Sequence, residues 1–504
     1  MFPYVALFSW PLVSVVFFKR FGAPIAVLVT VLAGYLLLPE KTYVNLPVLP
    51  TLDKSTIPAI AALVLALTFG VQRSDIFRSL PGLFPRFWTL RILLAVMVAG
   101  AFMTVMTNSD PLVYGPKRLV GLRPYDAFSN ILTVLMFVLP MVLARKYLSS
   151  PQAHRAILLA FCIGGLVYSL FILFEVRMSP QLHRMVYGYF PHVWGQHVRG
   201  GGWRPVVFLS HGLLVGIFMC FAVLSAAGLI KSEKHRKGMF IGAAIWLFLI
   251  LIVSKNLGAL MISVVLLPVI LFTGVRLQLI AAAVVAGTFL TYPAVRSADL
   301  VPVDRVVEFA AGISEQRAAS LEYRLRHEDA MMAKASERPL FGWGGWGRNR
   351  VWDERGNDVT VSDGAWVITL GISGWVGYVG RFGLLAMPIF LLLLGRRRYN
   401  IGPETSVLAL ILAGNLIDLI PNASITPLSW LLAGALWGRM ELGRNESPAT
   451  AEVAAAGQAT DRNKRGRPVA ARPIRDEKPA PGSKPGYTRQ TARVTHSRWT
   501  KSGS

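Results

Sequence analysis

Three groups of arginines in this sequence could bind phosphate, because each lies in a polar segment between two apolar runs. The groups are Arg199 and Arg204 with His211, Arg324 and Arg326 in YRLRHED, and Arg338, Arg348 and Arg350. A guanidinium presents a fixed fork of N–H donors that matches two phosphate oxygens, so such clusters at a membrane edge suit the diphosphate of a lipid-linked ligand. For the second group, the other interpretation is pairing with Glu322 and Glu328 on the exposed face of a helix.

Two further charged residues could take part in chemistry. Asp363 lies where a long polar segment enters an apolar run that begins near Gly364. There it could cap a helix N-terminus, or it could accept a proton from a sugar hydroxyl at the membrane surface. Arg381 lies inside the same run, where a charge is costly and marks a functional or ion-paired site. Asp418, in the next apolar run, is its expected partner.

Long apolar segments must position these residues. The chain has 504 residues, 54% hydrophobic and 16% charged, whereas soluble domains carry about 25% charged residues. Runs of roughly 17–25 apolar residues match a membrane-spanning helix, and their continuous pattern is not the alternating pattern of a barrel. We therefore predict an all-α polytopic membrane protein with twelve or thirteen spans, of which the first could instead lie in the interface. The spans are predicted near 2–18, 21–38, 57–71, 88–107, 128–144, 154–174, 205–230, 239–254, 256–273, 276–293, 364–394, 402–419 and 424–440.

The loops between the apolar segments sort by charge. Basic loops fall on one side, which is cytoplasmic by the positive-inside rule, with the N-terminus outside and the C-terminus inside. The outer loops are then 39–56, 108–127, 175–204 and 294–363. This divides the chain into ten spans over 1–293, a long outer loop over 294–363 with amphipathic helices at 303–312 and 314–336, three spans over 364–440, and a basic tail over 441–504.

The net charge of +25 does not point to nucleic acid. Much of the excess lies in the short loops and in the tail 441–504, so the partner it favours is the anionic membrane surface. The tail is rich in Arg, Lys, Pro and Gly and poor in large aliphatic residues, which predicts disorder. Only Cys162 and Cys220 occur, each inside an apolar run, and the outer loops hold no Asp/Glu cluster that resembles an Asp-x-Asp metal site. The sequence thus predicts no disulfide framework, no metal site and no cofactor.

Three glycines in ERPLFGWGGWGRNR match the dinucleotide-binding pattern Gly-x-Gly-x-x-Gly at Gly342, Gly344 and Gly347. That pattern binds a dinucleotide only between a strand and a helix, and here a predicted helix precedes it, in a loop outside the cytoplasm. We expect instead a turn at the rim of a cavity, whose glycines let backbone approach a glycan. Trp343 and Trp346 would lie at the headgroup level or stack on a sugar ring.

Three stretches resemble the O-antigen polymerase/ligase superfamily of membrane glycosyltransferases. They are LLLPEKTYVNLPVLPTLDKSTIP near the N-terminus, RPVVFLSHGLLVG, and YRLRHEDAMMAKASERPLFGWGGWG. The resemblance covers roughly residues 1–440. It implies a helical inner-membrane enzyme that uses undecaprenyl-diphosphate-linked sugars at the periplasmic face, by metal-independent inverting transfer. Chain-length regulators and export proteins are further partners that it suggests.

The resemblance also implies roles for particular residues. Arg204 and Arg324 match the arginines expected to hold the donor diphosphate, and Asp363 stands where a polar residue activates the acceptor hydroxyl. His211 matches a polar step that enters a span. Charge and position alone add Arg199, Arg326 and Arg381 as supporting residues.

Three functions remain open from the sequence. Ligases of the superfamily commonly carry His-Asn where this chain has Ser362-Asp363, which favours a polymerase of an exopolysaccharide or O-antigen. The second function is a ligase that transfers glycan to lipid A core. The third is a transporter or flippase of the lipid-linked sugar, for which the intramembrane Arg381 is the main argument.

Overall fold

The computed structural model describes residues 1–445 apart from 70–76, 200, 234, 299, 301, 314 and 362, so most of the predicted tail 441–504 lies outside the described residues. Helices dominate this part of the chain, and the only strands in it form two short antiparallel hairpins, β1–β2 and β3–β4. The elements are α1 Phe2–Arg20, α2 Ala23–Leu37, α3 Thr56–Thr68, α4 Trp88–Met106, β1 Leu112–Tyr114, β2 Lys117–Leu119, α5 Pro124–Tyr147, α6 Pro151–Met178, α7 Leu182–Tyr187, β3 Val198–Arg199, β4 Gly202–Trp203, α8 Gly212–Ser232, α9 Lys237–Val253, α10 Leu257–Phe272, α11 Val275–Ser297, α12 Val303–Ile313, α13 Glu315–Ser336, α14 Ala365–Leu394, α15 Pro403–Asp418 and α16 Pro427–Asn445. A single 3-10 turn, Trp194–His197, precedes β3.

Each of the thirteen predicted spans coincides with an α-helix, and the predicted fold class is confirmed. Seven described helices are long and apolar enough to cross a membrane, namely α1, α4, α5, α6, α8, α11 and α14. Four shorter apolar helices, α2, α3, α9 and α10, accompany them. The largest difference from the prediction is at α8, which begins at Gly212 rather than near 205. The chain is therefore an all-α, multi-pass membrane protein.

Loops predicted to share one side of the membrane contact one another at one end of the bundle. The Glu40 N–H donates to His183 Nε2 (3.2 Å), and the Lys54 ammonium donates to the Phe208 carbonyl (2.8 Å). At the opposite end, loops predicted to be cytoplasmic meet through the buried Arg145–Glu441 pair and the Arg155–Glu233 pair. We call the first of these the outer end. The candidate residues of the outer loops are thereby gathered at one end of the bundle.

Helix α14 is broken at Gly374, and the glycine-rich segment 338–347 packs into the break. Gly374 has φ 61° and ψ −167°, a conformation that is essentially restricted to glycine. Four backbone hydrogen bonds cross the junction, among them Trp375 N–H to the Pro339 carbonyl (2.7 Å) and Trp343 N–H to the Gly371 carbonyl (2.8 Å). These bonds satisfy N–H and carbonyl groups that the break removes from the helix ladder.

The glycines of the nucleotide-like motif serve this packing. Gly342 has φ 68°, and a Cβ there would lie 2.5 Å from the Ile372 carbonyl carbon. The prediction that these glycines give backbone access to a glycan is wrong for Gly342, whose close neighbour is the backbone of α14. The described residues before the motif belong to α13 and a turn, not to a strand. The strand that a dinucleotide-binding motif requires is therefore missing from this position, which supports the sequence-based exclusion of a dinucleotide site.

Helix α13 lies against the membrane helices α11 and α14 and positions Arg324. Its Glu328 accepts a hydrogen bond from the Tyr292 hydroxyl (3.1 Å) and lies 3.4 Å from Arg296 Nε, both on α11. Arg296 also pairs with Asp329. Because these contacts anchor one face of α13, Arg324, one turn earlier, is held beside the start of α14.

Candidate functional site

A small hairpin presents Arg199 and Arg204 at the outer end. Strands β3 and β4 pair antiparallel, and the Arg204 N–H donates to the His197 carbonyl across the hairpin (2.7 Å). Lys255, between α9 and α10, holds the hairpin against the bundle. Its ammonium donates to the Arg199 carbonyl (2.8 Å), and its own carbonyl accepts from Arg204 Nη2 (3.3 Å).

The two hairpin arginines have no counter-charge among the described residues, since no carboxylate lies within 4.0 Å of either side chain. Arg199 is exposed, and Arg204 is half-buried with its Nε lacking a hydrogen-bond partner. Burial, together with the neighbouring charges of Arg199 and Arg324, lowers the pKa of Arg204 to about 10. Arg204 therefore remains charged at neutral pH, and its cluster with Arg199 and Arg324 favours an anionic ligand.

Arg324 pairs with Asp363, which joins the second arginine group to the start of α14. Arg324 Nε lies 3.2 Å from Asp363 Oδ2, and the two side chains are 40% and 38% exposed. Asp363 does not cap α14, because the N-cap residue is Gly364, without a side-chain cap bond. A pair this exposed contributes only about 0–1 kcal/mol. The pair can therefore be exchanged for a ligand at small cost.

Arg326 does not belong to this group. It is 75% exposed and pairs with Glu322 one helical turn earlier (3.0 Å). The alternative interpretation from the sequence, a salt bridge on the wet face of a helix, is thus correct for Arg326 and wrong for Arg324. Arg326 loses its predicted role in the site.

His211 lies at the start of α8 within a cluster of three histidines. Its Nδ1 accepts a hydrogen bond from the Leu213 N–H (3.0 Å) and so caps the helix. The rings of His192 and His197 lie 4.8 and 4.9 Å from the His211 ring, centroid to centroid. His197 is fully buried, and burial together with nearby positive charges lowers its pKa to about 4, so it is neutral at pH 7.

Sequence reasoning missed His192 and His197. They precede His211 by nineteen and fourteen residues, in a loop without regular periodicity, so their spacing matches no metal motif. Their ring nitrogens are the groups in the described chain that could hold a metal ion together with His211. Only the fold of the 188–204 loop onto the start of α8 brings them together.

Two cavities adjoin His211 and the start of α14. The outer cavity, about 300 Å³, has His211 in its wall and is lined by Tyr35, Glu40, Lys54, Ser55, Ser210, Leu213, Leu214 and residues 422–427. A smaller cavity of about 170 Å³ is lined by residues of α3, α5, α14 and α16 and by Arg381, and we call it the Arg381 cavity. Ser55 and Pro427 belong to both walls. The Ala365 N–H, beside Asp363, donates to the Leu419 and Asn422 carbonyls, so the start of α14 also borders the loop that forms this wall.

Arg381 is an intramembrane cation without a carboxylate partner among the described residues. Its Nη1 donates to the Thr369 hydroxyl (3.1 Å) in the first half of the same broken helix. The predicted Arg381–Asp418 pair is wrong. The Asp418 carboxylate instead accepts from Asn422 Nδ2 (2.9 Å) and Ser424 Oγ (3.1 Å), because α15 turns it toward its own C-terminal loop.

The third arginine group and Trp343 hold the 338–347 segment in place. Trp343 is only 6% exposed, and Lys334 Nζ and Arg338 Cζ lie 3.7 and 4.1 Å from the centre of its ring. The ring is thus covered, and the prediction that it stacks on a sugar is wrong for this conformation. Trp346 is 64% exposed and keeps that possibility.

The remaining arginines of that group pair with carboxylates. Arg338 lies 2.8 Å from Asp110, and Arg350 lies 2.8 Å from Asp358. Arg348 is buried and donates to the Val120 carbonyl (3.0 Å). The group anchors loops to one another and leaves no cation for a ligand.

No protein-family model matches this chain, and a search of curated proteins finds no relative. The resemblance to the O-antigen polymerase/ligase superfamily rests on the three quoted stretches alone. What the fold gathers at the outer end is Arg199, Arg204, His211, Arg324 and Asp363, with Arg381 in the adjoining cavity.

Proposed function

We propose that this protein is a membrane glycosyltransferase that polymerises undecaprenyl-diphosphate-linked oligosaccharide repeat units of an exopolysaccharide or O-antigen at the periplasmic face of the bacterial inner membrane. The observation that supports it most is a pair of guanidiniums, Arg199 and Arg204, beside the Arg324–Asp363 pair. Among the residues that the structure describes, no carboxylate lies within 4.0 Å of either guanidinium. A membrane-embedded enzyme whose substrate is a lipid diphosphate needs this combination: cations for the leaving group and a carboxylate for the nucleophile.

The arginines would stabilise the leaving group. As the acceptor hydroxyl oxygen forms its bond to the anomeric carbon, the bond from that carbon to the diphosphate oxygen breaks, and the electron pair stays on the diphosphate. Fixed guanidiniums aimed at this growing negative charge lower the barrier more than they stabilise the bound substrate. Arg199 and Arg204 would serve in this way.

Asp363 would receive the proton of the acceptor hydroxyl. In the present arrangement its carboxylate is occupied by Arg324. A donor diphosphate that binds Arg324 would weaken that pair and leave the carboxylate a better proton acceptor. The exposure of both groups makes this exchange inexpensive. His211 would act as a positioning residue, since its Nδ1 is engaged by the start of α8.

A flippase of the same lipid-linked sugar is the second candidate, and Arg381 favours it. Its charge lies within α14, among residues of four helices, and in the described part of the chain its one hydrogen-bond partner is the Thr369 hydroxyl. Such a charge suits the passage of a diphosphate through the membrane. A ligase remains the third candidate, distinguished by its acceptor.

The test uses cells that carry Arg324→Ala, Asp363→Asn or the control Arg326→Ala, with protein abundance measured by immunoblot. Arg326 is two residues from Arg324 on the same helix but pairs with Glu322 on the exposed side. Its replacement by alanine therefore removes one positive charge from the helix, as Arg324→Ala does, without changing a residue of the site. We expect the first two variants to lose long glycan chains and to accumulate single lipid-linked units outside. Loss of the general base, Asp363, should lower the rate of polymerisation by about 100-fold or more. The control should keep normal chains.

The position of the accumulated intermediate decides between the candidates. Units held on the cytoplasmic leaflet would replace the polymerase with a flippase. Finished chains that remain on the lipid carrier would indicate a ligase. Unchanged chain length in both site variants would remove Arg324 and Asp363 from the mechanism.

A further inference from the structure

His192, His197 and His211 form a compact cluster at the outer end whose geometry suits a metal ion. One ring nitrogen from each histidine lies within 4.8 Å of the corresponding nitrogens of the other two. The ring centroids are separated by 4.8, 4.9 and 5.2 Å, and the ring planes are steeply inclined to one another. Three imidazoles on a tetrahedral ion with metal–nitrogen bonds of about 2.1 Å would place their centroids about 5.2 Å apart.

The nitrogens of this cluster have few other partners. His197 is fully buried, and neither of its ring nitrogens has a hydrogen-bond partner. His192 Nδ1 is also buried without a partner. A neutral imidazole carries one donor and one acceptor, and burying both unpaired is unfavourable. The orphaned nitrogens lie in one cluster, which points to a shared ligand.

We propose that His192, His197 and His211 bind a divalent cation of the zinc class. Imidazole nitrogen is a preferred ligand of zinc, and three such ligands leave a fourth position for a non-protein group. The ring nitrogens lie within 4.8 Å of one another, and metal binding would draw them to a separation of about 3.4 Å in a tetrahedral site. The placement of the cysteines and carboxylates in the sequence predicts no metal site. The sequence could not show that three separated imidazoles meet in the fold.

Metal binding changes the role of His211. A ring that binds metal through Nε2 carries its proton on Nδ1 and cannot accept the Leu213 N–H bond observed here. One helix cap is therefore exchanged for a metal–nitrogen bond, which is the stronger interaction. The ion would fasten the loop that carries Arg199 and Arg204 to the start of α8.

The surrounding charge favours an anion as the fourth ligand. The three imidazoles bring no negative charge, and Arg199 and Arg204 add to the positive potential at His197. A doubly charged cation in this setting is stabilised by a phosphate-type oxygen. This site is inferred from the histidines and does not depend on whether the protein joins glycans or moves them.

The experiment titrates Co²⁺ into the full-length protein, purified in detergent through a tag without histidine and stripped with EDTA. Four-coordinate Co²⁺, bound by three nitrogens and one further ligand, gives visible d–d bands that are far more intense and lie at longer wavelength than the weak absorption of the octahedral aquo ion. Zn²⁺ should displace it and remove these bands. We expect one Co²⁺ per chain and at least a tenfold weaker affinity in His197→Ala and His192→Ala. The control His235→Ala removes an exposed histidine at the opposite end and should bind like the unaltered protein.

Size-exclusion profiles show which variants are folded. If His197→Ala does not yield monodisperse protein, the Co²⁺ affinity of His192→Ala tests the proposal instead. His192 is half-buried, so its truncation disturbs less packing. Equal affinity in His192→Ala and the unaltered protein, or an absence of the d–d bands in the unaltered protein, would overturn the proposal. The glycan assay in cells reports on Arg324 and Asp363 separately, so either inference can fail alone.

Discussion

Gly374→Ala is expected to unfold the junction between the two halves of α14. At φ 61° and ψ −167° a residue with a Cβ is strained by about 1–3 kcal/mol. The added Cβ would also lie 2.4 Å from the carbonyl carbon and oxygen of Leu340. These are backbone atoms, so relief requires the 338–347 segment to withdraw from the break.

The cost of that withdrawal follows from the hydrogen bonds at the junction. Four backbone bonds of 2.7–3.1 Å cross it, and each contributes about 1 kcal/mol. Strain and lost bonds together give a destabilisation of about 5 kcal/mol. Since the first half of α14 follows Asp363 and the second half carries Arg381, the same variant should also shorten the glycan chains.

The assay is thermal unfolding in detergent, followed by fluorescence size-exclusion chromatography, with Gly242→Ala as the control. A Cβ at Gly242, in α9, has no neighbour within 4 Å, so alanine there should be neutral or stabilise the helix by about 0.5–1 kcal/mol. We expect a melting temperature for Gly374→Ala that is lower by about 5 °C or more. Equal melting temperatures for the two variants would refute the interpretation of the break as a glycine-dependent junction.

Three further predictions test the anchors and the topology. Arg338→Ala and Asp110→Ala should each lower the melting temperature. Because the two side chains pair at 2.8 Å, the double variant should lose less stability than the sum of the two single losses. Additive losses of stability would contradict the pairing. Arg145→Ala should destabilise the protein by about 3–5 kcal/mol, because it leaves the buried Glu441 carboxylate unpaired, whereas replacing both partners with apolar residues should recover part of the loss in the same assay. A reporter enzyme fused near Gly356 should be active only outside the cytoplasm, and activity inside would invert the predicted topology.

Some predictions failed because they depend on the rotation of helices about their axes. Arg381 and Asp418 lie in neighbouring apolar runs, which suggested an ion pair. Packing directs them to Thr369 and to the 419–426 loop instead. Trp343 was expected at a glycan surface, yet two cations of its own chain cover it. Spacing along the sequence does not reveal such orientations, because several partners lie within reach of each side chain and the packed structure decides which one it meets.

The sequence by itself determined which segments form apolar helices, and it predicts an outer position for Arg204, Arg324 and Asp363. The physical reason is local: in hydrocarbon every backbone polar group must be satisfied within its own segment, so a long apolar run can only be a helix. Only the tertiary structure decided that Arg324 meets Asp363, that a glycine-rich loop fills the break at Gly374, and that three histidines converge. These features need contacts between residues of different helices and loops, and no local interaction encodes them.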